Sequence, residues 1–244
     1  MTFDALFPDL SRRSDIAERM DDPKCSAERL LKTVRSFALL NRLVSRYRSV
    51  LNRWLIQDML RQPARKYRVA DLGAGGCDIP VWLLSRARKL GLDLSVIAVE
   101  SNPLIAEHAR RTHQGIAGLQ VICQDATHPG ELEPVDYIIG NHFLHHLPNG
   151  EIQDFLARAL EMRIRRFVFN DLRRSHRAYY LHSLLAALLF PRTFVGTDGR
   201  RSIRRGFRRS ELRALLAKAD ILDRVQVHTL APARIVIVGT RDEQ

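Results

Sequence analysis

The chain contains 244 residues, of which 45% are hydrophobic and 27% are charged. This balance excludes intrinsically disordered, collagen-like and disulfide-stapled proteins and predicts a globular protein with a buried core. The net charge of +12 favours an anionic partner such as nucleic acid, an acidic lipid surface or an anionic substrate, and it does not choose among them.

The three cysteines, Cys25, Cys77 and Cys123, are too widely spaced for a disulfide framework or a zinc site. We therefore expect a reducing, cytoplasmic environment. The longest apolar stretch, around residues 184–190, is shorter than the roughly 18 residues that a membrane-spanning helix needs. The sequence predicts neither a transmembrane helix nor a signal peptide.

The N-terminal part of the chain has helical periodicity. Apolar residues recur at steps of three and four between positions 27 and 60, which predicts one amphipathic helix or two in series. Pro63 ends this pattern, because proline removes a backbone donor and restrains the preceding residue. We divide the chain into an N-terminal helical lid or extension, 1–62, and a main domain, 63–244.

From residue 67 onward, short β-branched runs alternate with helical stretches. The strand candidates are RVADLG, LSVIAVE, LQVICQD, VDYIIGN and RFVFND, followed by VQVHTL and RIVIVGT. The last two are separated only by APA, which is long enough for a hairpin but not for a crossover helix. We predict an α/β fold: a Rossmann-like doubly wound, mostly parallel seven-stranded sheet with an antiparallel C-terminal hairpin, plus N-terminal helices.

The first strand leads into the turn DLGAGGCD and then a helix, the context in which a nucleotide-like ligand meets backbone amides. Two ligands fit such a turn, a dinucleotide pyrophosphate or S-adenosylmethionine. Asp78 lies at the helix N-terminus where the phosphate would sit, so like charges would repel. An ammonium and a sulfonium would instead be attracted by Asp71 and Asp78. The turn favours the cationic ligand.

Polar residues end the next three strands as well. Glu100 ends the second strand, where a carboxylate can accept both ribose hydroxyls, a feature that both candidate cofactors share. Asp125 follows the third strand and Asn141 the fourth. Four consecutive strand ends therefore carry polar groups at one edge of the sheet.

The segments DLGAGG, AVESN, ICQDA and VDYIIGNHFLHHLP resemble the successive motifs of class I S-adenosylmethionine-dependent methyltransferases, a resemblance that covers roughly residues 67–240. Cys77 stands where the family usually has the last glycine of its first motif. The resemblance implies six cofactor-binding residues: Asp71, Gly73 and Gly75 for the methionine part, Glu100 for the ribose, Asp125 for the adenine edge and Asn141 for the chain near the sulfonium.

Methyl transfer to a hydroxyl benefits from a base that removes the proton. His142, His145 and His146 follow strand four, and Asp171 ends strand five, so these side chains are expected over one cleft. The arrangement resembles small-molecule O-methyltransferases in which a histidine and an aspartate at these places act as base and orienter. We carry these roles to His145 and Asp171, with His146 in reserve.

Two other interpretations of the histidines remain open. The HHLP segment could be a turn whose histidines only bind backbone groups. His142 and His146 could also be metal ligands, although no carboxylate pair or thiolate spacing accompanies them, and we predict no metal.

Three further segments bear on the acceptor. The stretch 200–209 contains six arginines and is expected as a loop before a helix capped by Ser210, either a solvated surface or a contact for an anionic acceptor, a membrane or RNA. The stretch 178–190 is too apolar for an exposed helix, so we expect core or pocket wall. The apolar helix face that carries Phe37, Tyr47 and Trp54 would then act as a lid over an apolar, aromatic acceptor.

The segment ERMDDP, residues 18–23, resembles bacterial methyltransferases associated with polyketide, phenolic-lipid or quinone assembly. We predict that S-adenosylmethionine methylates an oxygen of a small apolar acceptor of phenolic, polyketide or quinone type. The acceptor could be lipidic or carrier-bound, and peripheral membrane contact is a further possibility. Carbon methylation is the nearer alternative. An RNA methyltransferase is disfavoured by the absence of an RNA-binding module and of a Pro-Pro-aromatic signature after strand four. A binding module that retains the cofactor fold is the third hypothesis.

Overall fold

The computed structural model describes residues 7–128, 132 and 134–240. Its centre is a seven-stranded sheet of order β3-β2-β1-β4-β5-β7-β6. The strands are β1 Lys66–Leu72, β2 Asp93–Glu100, β3 Leu119–Cys123, β4 Tyr137–Asn141, β5 Arg166–Leu172, β6 Val225–Leu230 and β7 Arg234–Thr240. Strands β1 to β5 are parallel, whereas β7 pairs antiparallel with β5 and with β6. The predicted doubly wound sheet and its C-terminal hairpin are confirmed.

Nine α-helices surround the sheet in the described part of the chain. They are α1 Ala27–Leu40, α2 Tyr47–Leu51, α3 Gln57–Met59, α4 Asp78–Lys89, α5 Pro103–Thr112, α6 Asn149–Glu161, α7 His176–Leu189, α8 Val195–Arg205 and α9 Arg209–Lys218. Two core clusters, one on each face of the sheet, are built largely from the apolar side chains of the strands and the helices that cover them. Both faces are buried, which explains why the strand sequences are almost continuously apolar.

The N-terminal helical region is interrupted rather than continuous. Helix α1 begins after Ser26, whose side chain caps Arg29 N–H, and π-helical turns follow at Asn41–Ser45 and Asn52–Ile56. Arg46 has a left-handed backbone, φ 57°, which turns the chain between α1 and α2. The prediction of helices in series is confirmed, and the lid assignment for 1–62 stays a prediction.

The expected aromatic lid is wrong for two of its three members. Tyr47 is fully buried below the sheet, where its hydroxyl donates to Val168 O and accepts from Gly140 N–H. Trp54 stacks near His228 on the far side of the molecule. Only Phe37 lies at the cavity described below. The helical break at Arg46 rotates this apolar face, so its later members turn away from the cavity.

The expectation of an arginine-rich loop is also wrong. Arg200 to Arg205 complete α8, whose buried stripe is Val195, Asp198, Ser202 and Ile203. Helix α9 then begins at Arg209 after an N-cap at Arg208, so Ser210 lies inside the helix. Gly199 lies within α8, and its lack of a side chain leaves room for the His182 ring, which a Cβ there would overlap.

Helix α7 is more exposed than its composition predicted. Leu181, Leu184, Leu188 and Leu189 are each more than half exposed, whereas Tyr179 and Ala186 are buried. The segment is therefore neither core nor pocket wall along most of its length. No helix in the described ranges has both the length and the apolar character to cross a bilayer.

Candidate active site

A cavity of about 840 Å³ opens at the carboxyl edge of the parallel strands. Its wall is formed by the glycine turn after β1, the ends of β2 and β4, parts of α1 and α8, and the start of β7. Parallel strands with crossover helices place ligands at this edge. The cavity is large enough for a nucleoside cofactor and a second small molecule together.

The glycine turn leaves backbone open to the cavity. Gly73 and Gly75 have φ of +68° and +53°, a region that L-residues rarely adopt. A Cβ at Gly75 would meet nothing within 4 Å, so the backbone here faces free space. Cys77 also has a positive φ, 61°, and its thiol is buried. Cys77 thus adopts the conformation for which the family's glycine is suited.

Three carboxyl groups cluster below this turn. Asp71 and Glu100 are 2% and 8% exposed, and Asp78 begins α4. Burial raises the pKa of all three, and the Asp71 carboxyl is shifted furthest, because Asp78 and Glu100 repel its charge in addition. Such a cluster is stabilised by a cation. The observation fits the ammonium and sulfonium of S-adenosylmethionine and opposes a pyrophosphate.

Glu100 organises the glycine turn as well as facing the cavity. Its Oε2 accepts the Gly75 N–H at 2.9 Å, and its Oε1 accepts the Asn102 N–H at 2.8 Å. A carboxylate has further lone pairs, so Glu100 can accept ribose hydroxyls while holding the backbone.

Asparagines connect the N-terminal extension to both candidate binding regions. Asn41 Nδ2 donates to Asp78 Oδ1 at 3.1 Å, and Asn41 Oδ1 accepts from Asn141 Nδ2 at 2.9 Å. Asn141 Oδ1 in turn accepts from Asn170 Nδ2 at 2.8 Å. The sequence analysis missed Asn41, since its polar position at the end of α1 looked like the helix surface.

The six predicted cofactor residues all lie on the cavity wall. They are Asp71, Gly73, Gly75, Glu100, Asp125 and Asn141. Asp125 is exposed, and its Oδ1 accepts the Thr127 N–H at 2.9 Å, so its carboxylate is held at the rim. Their roles toward a cofactor stay predictions.

His145 lies between two carboxylates. Its Nδ1 donates to Asp171 Oδ1 at 2.7 Å, and its Nε2 donates to Glu18 Oε1 at 3.2 Å. Burial disfavours the imidazolium, but the Asp171 and Glu18 charges outweigh burial and raise the pKa of His145 to about 9. His145 is therefore positively charged at neutral pH.

The two carboxylates stay ionised for the same reason. Against the effect of burial, hydrogen bonds and charge from the histidines lower the pKa of Glu18 to about 2, and His145 lowers the pKa of Asp171. Glu18 also accepts a short hydrogen bond of 2.5 Å from Ser202 Oγ. The sequence analysis did not identify Glu18, although it begins the ERMDDP segment that was singled out.

The structure groups a different set of possible metal ligands from the pair considered above. Atoms of Glu18, His145 and His146 lie within 4.8 Å of one another, whereas His142 is paired with a guanidinium. His146 is half-buried, with its Nε2 at 3.8 Å from Glu18 and its Nδ1 at 3.6 Å from Asp21. His145 would have to lose its Nε2 proton before this group could bind a metal.

The arginines of α8 secure the N-terminal segment and the histidine loop. Arg205 donates to His145 O at 2.9 Å and to His146 O at 2.6 Å, and Arg201 donates to Ala17 O at 2.6 Å. Asp198 accepts the N–H groups of Arg19 and Met20 at 3.0 and 2.9 Å. These contacts place Glu18 over His145 and use arginines that were expected to face solvent.

The part of the cavity wall that α1, α8 and the end of β5 form is mainly apolar. It includes Phe37, Leu40, Leu172 and Ile203. Arg234 and the neutral side chains of His142 and His182 also line the cavity, together with the His145 cluster.

Part of the chain matches a known family model. Residues 69–163 match the family model described as a methyltransferase domain. No curated protein matches the sequence.

Solved structures share the fold at low identity. The chain is similar to magnesium protoporphyrin IX methyltransferase from Synechocystis with bound S-adenosylmethionine (TM-score 0.52, 13% identity, 92% of this chain and 88% of the other). It is also similar to human N-acetylserotonin methyltransferase in complex with the same cofactor (TM-score 0.60, 15%, 89% and 57%) and to the CurJ carbon methyltransferase (TM-score 0.61, 15%, 90% and 62%). The chain thus spans about three fifths of the length of each of the last two proteins.

Proposed function

We propose that this chain, an S-adenosylmethionine-dependent enzyme with a class I methyltransferase domain, methylates an oxygen of a small, largely apolar phenolic, polyketide or quinone-like acceptor. One observation carries the proposal. A single cavity joins the carboxylate-lined glycine turn to the His145 cluster and to an apolar wall. The cofactor end and a place for the acceptor thus share one space.

The proposed chemistry assigns a role to each end. When bound, S-adenosylmethionine supplies a methyl carbon that the sulfonium activates for displacement. Asp71, Asp78 and Glu100 favour the cation, and the backbone at Gly73 and Gly75 allows close approach. His145 would take up the acceptor's hydroxyl proton at Nε2, and Asp171 would hold the imidazole through Nδ1.

This role requires His145 to lose the Nε2 proton that it donates to Glu18. Because its pKa is about 9, only a small fraction of His145 is neutral at pH 7. A group that acts as a base is active in its deprotonated form, so kcat/KM should rise with pH up to about 9.

Glu18→Gln is expected to shift the rise of kcat/KM with pH to lower pH by about one unit or more, since one of the two charges that favour the imidazolium is removed. The measurement is the pH profile of kcat/KM, with Glu28→Gln, an exposed carboxylate on α1, as the matched control. A rise that stays near pH 9 in Glu18→Gln would argue against His145 as the base.

The RNA alternative loses its main support. Arg201, Arg205 and Arg208 donate to backbone carbonyls of the N-terminal segment or of the histidine loop. The guanidinium groups of these three arginines serve contacts within the chain. Carbon methylation remains the second candidate: the similarity to the CurJ carbon methyltransferase shows the fold alone, and a carbon acid would need the same base.

We propose an acidic lipid surface as a peripheral partner, because helix α7 combines exposed leucines with a side chain in the cavity. His182 lines the cavity, whereas Leu184 and Leu188 are 58% and 68% exposed. Exposed Arg177 and Arg192 lie near the two ends of the helix and would complement anionic headgroups. The free cysteines support a cytoplasmic location for this surface.

The double substitution Leu184→Ser and Leu188→Ser should abolish most co-sedimentation with phosphatidylglycerol vesicles without changing cofactor binding. Leu60→Ser, at an exposed leucine in the segment leading into β1, is the control and should sediment as the wild type does. Equal sedimentation of the double variant and the wild type would remove the lipid surface from the proposal.

The experiment that tests the proposed function is incubation of the protein with methyl-labelled cofactor and fractionated cell extract. Label is expected in the organic-soluble pool. Label only in RNA, or no transfer by a protein that binds the cofactor, would contradict it.

A further inference from the structure

Arg234 is a buried cation on the wall of the cavity. It opens β7, opposite Leu172 at the end of β5, and is only 7% exposed. Its Nη1 donates to His142 Nε2 at 3.0 Å, and its Nε donates to Val44 O at 3.4 Å. These contacts hold the guanidinium on the cavity wall.

The guanidinium has no acidic partner of its own. Within the described ranges, no carboxylate lies within 4 Å of Arg234, and its Nη2 has no hydrogen-bond partner. Asp171, on the neighbouring strand β5, favours the Arg234 charge without touching it, and both Asp171 and Glu18 are hydrogen-bonded to His145. A buried charge without a partner is strongly unfavourable, so the site is arranged for an anion that arrives from outside the chain.

The neighbours of Arg234 are neutral. Burial and the charge of Arg234 hold the pKa of His142 well below its usual range. His142 is therefore neutral, and its Nε2 accepts the hydrogen bond from the guanidinium. Burial lowers the pKa of His182 as well, and its ring binds Val195 O at 2.9 Å. Among the described residues, Arg234 is thus a buried cation on the cavity wall with no carboxylate in contact with it.

We propose that Arg234 binds a carboxylate carried by the acceptor, beside the hydroxyl that is methylated. The inference rests on the proposed function and specifies its substrate class as an apolar hydroxy acid. The planar guanidinium pairs with a carboxylate through parallel hydrogen bonds. A phosphate dianion would bring two charges to one cation, so a singly charged acid fits better.

The test is a calorimetric comparison of salicylate with its neutral isostere salicylamide, on protein saturated with S-adenosylhomocysteine. The wild type should bind the acid at least about tenfold more tightly, the size expected for one charged hydrogen-bonded pair. Arg234→Met should lose this preference and keep its affinity for the amide. Arg234→Lys should retain part of the preference, and it decides the matter if the methionine variant does not fold.

Equal affinity for acid and amide in the wild type, no binding of the acid, or an unchanged preference in the substituted protein would overturn the assignment. A separate titration of the free protein with S-adenosylhomocysteine separates the two proposals. A protein that does not bind this product contradicts the proposed function, whereas normal product binding without acid preference contradicts only the role of Arg234.

Discussion

Glu100→Ala is expected to weaken S-adenosylmethionine binding by about 100-fold. Glu100 is predicted to accept the ribose hydroxyls, and it accepts the N–H groups of Gly75 and Asn102 at 2.9 and 2.8 Å. Charged hydrogen bonds are worth about 1.5–3 kcal/mol each, and about 1.4 kcal/mol is a factor of ten in affinity. Removal of the carboxylate therefore loses ligand contacts and loosens the turn that the ligand approaches.

Isothermal titration with S-adenosylmethionine measures this effect, and Glu107→Ala supplies the matched control. Glu107 is a carboxylate on the surface of α5, where it pairs with Arg111 at 2.8 Å. Its removal should leave the dissociation constant unchanged. Equal affinities of the Glu100 variant and the wild type would show that the cofactor does not occupy this end of the cavity.

His145→Gln is expected to lower kcat by about 100- to 10,000-fold, the contribution typical of a positioned general base. Glutamine keeps a hydrogen-bonding group between Asp171 and Glu18 but cannot take up a proton. The two buried carboxylates lose their positive partner, so a lower unfolding temperature is expected as well.

The readout combines kcat with cofactor affinity, so that lost activity is not confused with lost folding. The control is His176→Gln, an exposed histidine at the start of α7. Near-normal turnover in His145→Gln with intact cofactor binding would leave the histidine with a structural role only.

The strands and the cofactor end could be predicted because local rules govern them. Crossover connections bury both faces of the sheet, so every strand appears in the sequence as an apolar β-branched run. Strand ends of a parallel sheet meet at one edge, and this rule places Asp71, Glu100 and Asn141 on one cavity wall before any coordinates are known.

The acceptor end could not be predicted in the same way, because its contacts join distant parts of the chain. Glu18 reaches His145 across 127 positions, and Arg234 reaches His142 across 92. Arg234 does leave a local signal, since it is the single charged residue of an otherwise apolar strand, RIVIVGT. A charge at the start of a buried strand at the carboxyl edge is a reason to look for a ligand.

The amino-acid composition of helices α7 and α8 led to wrong predictions of their structure or burial. The arginine-rich stretch 200–209 was expected as a loop, yet a four-residue buried stripe and backbone carbonyls of the N-terminal segment order residues 200–205 as part of a helix. Leucines in α7 suggested burial, yet the helix packs only through one narrow face. Tertiary contacts outweigh composition in both cases.

The most direct measurement is a calorimetric titration of the wild-type protein with S-adenosylmethionine, in parallel with NAD. Saturable heat with the sulfonium compound and none with the dinucleotide is the predicted result, because three carboxyl groups, two of them buried, lie beside the glycine turn. Saturable binding of NAD without any binding of S-adenosylmethionine would contradict the account.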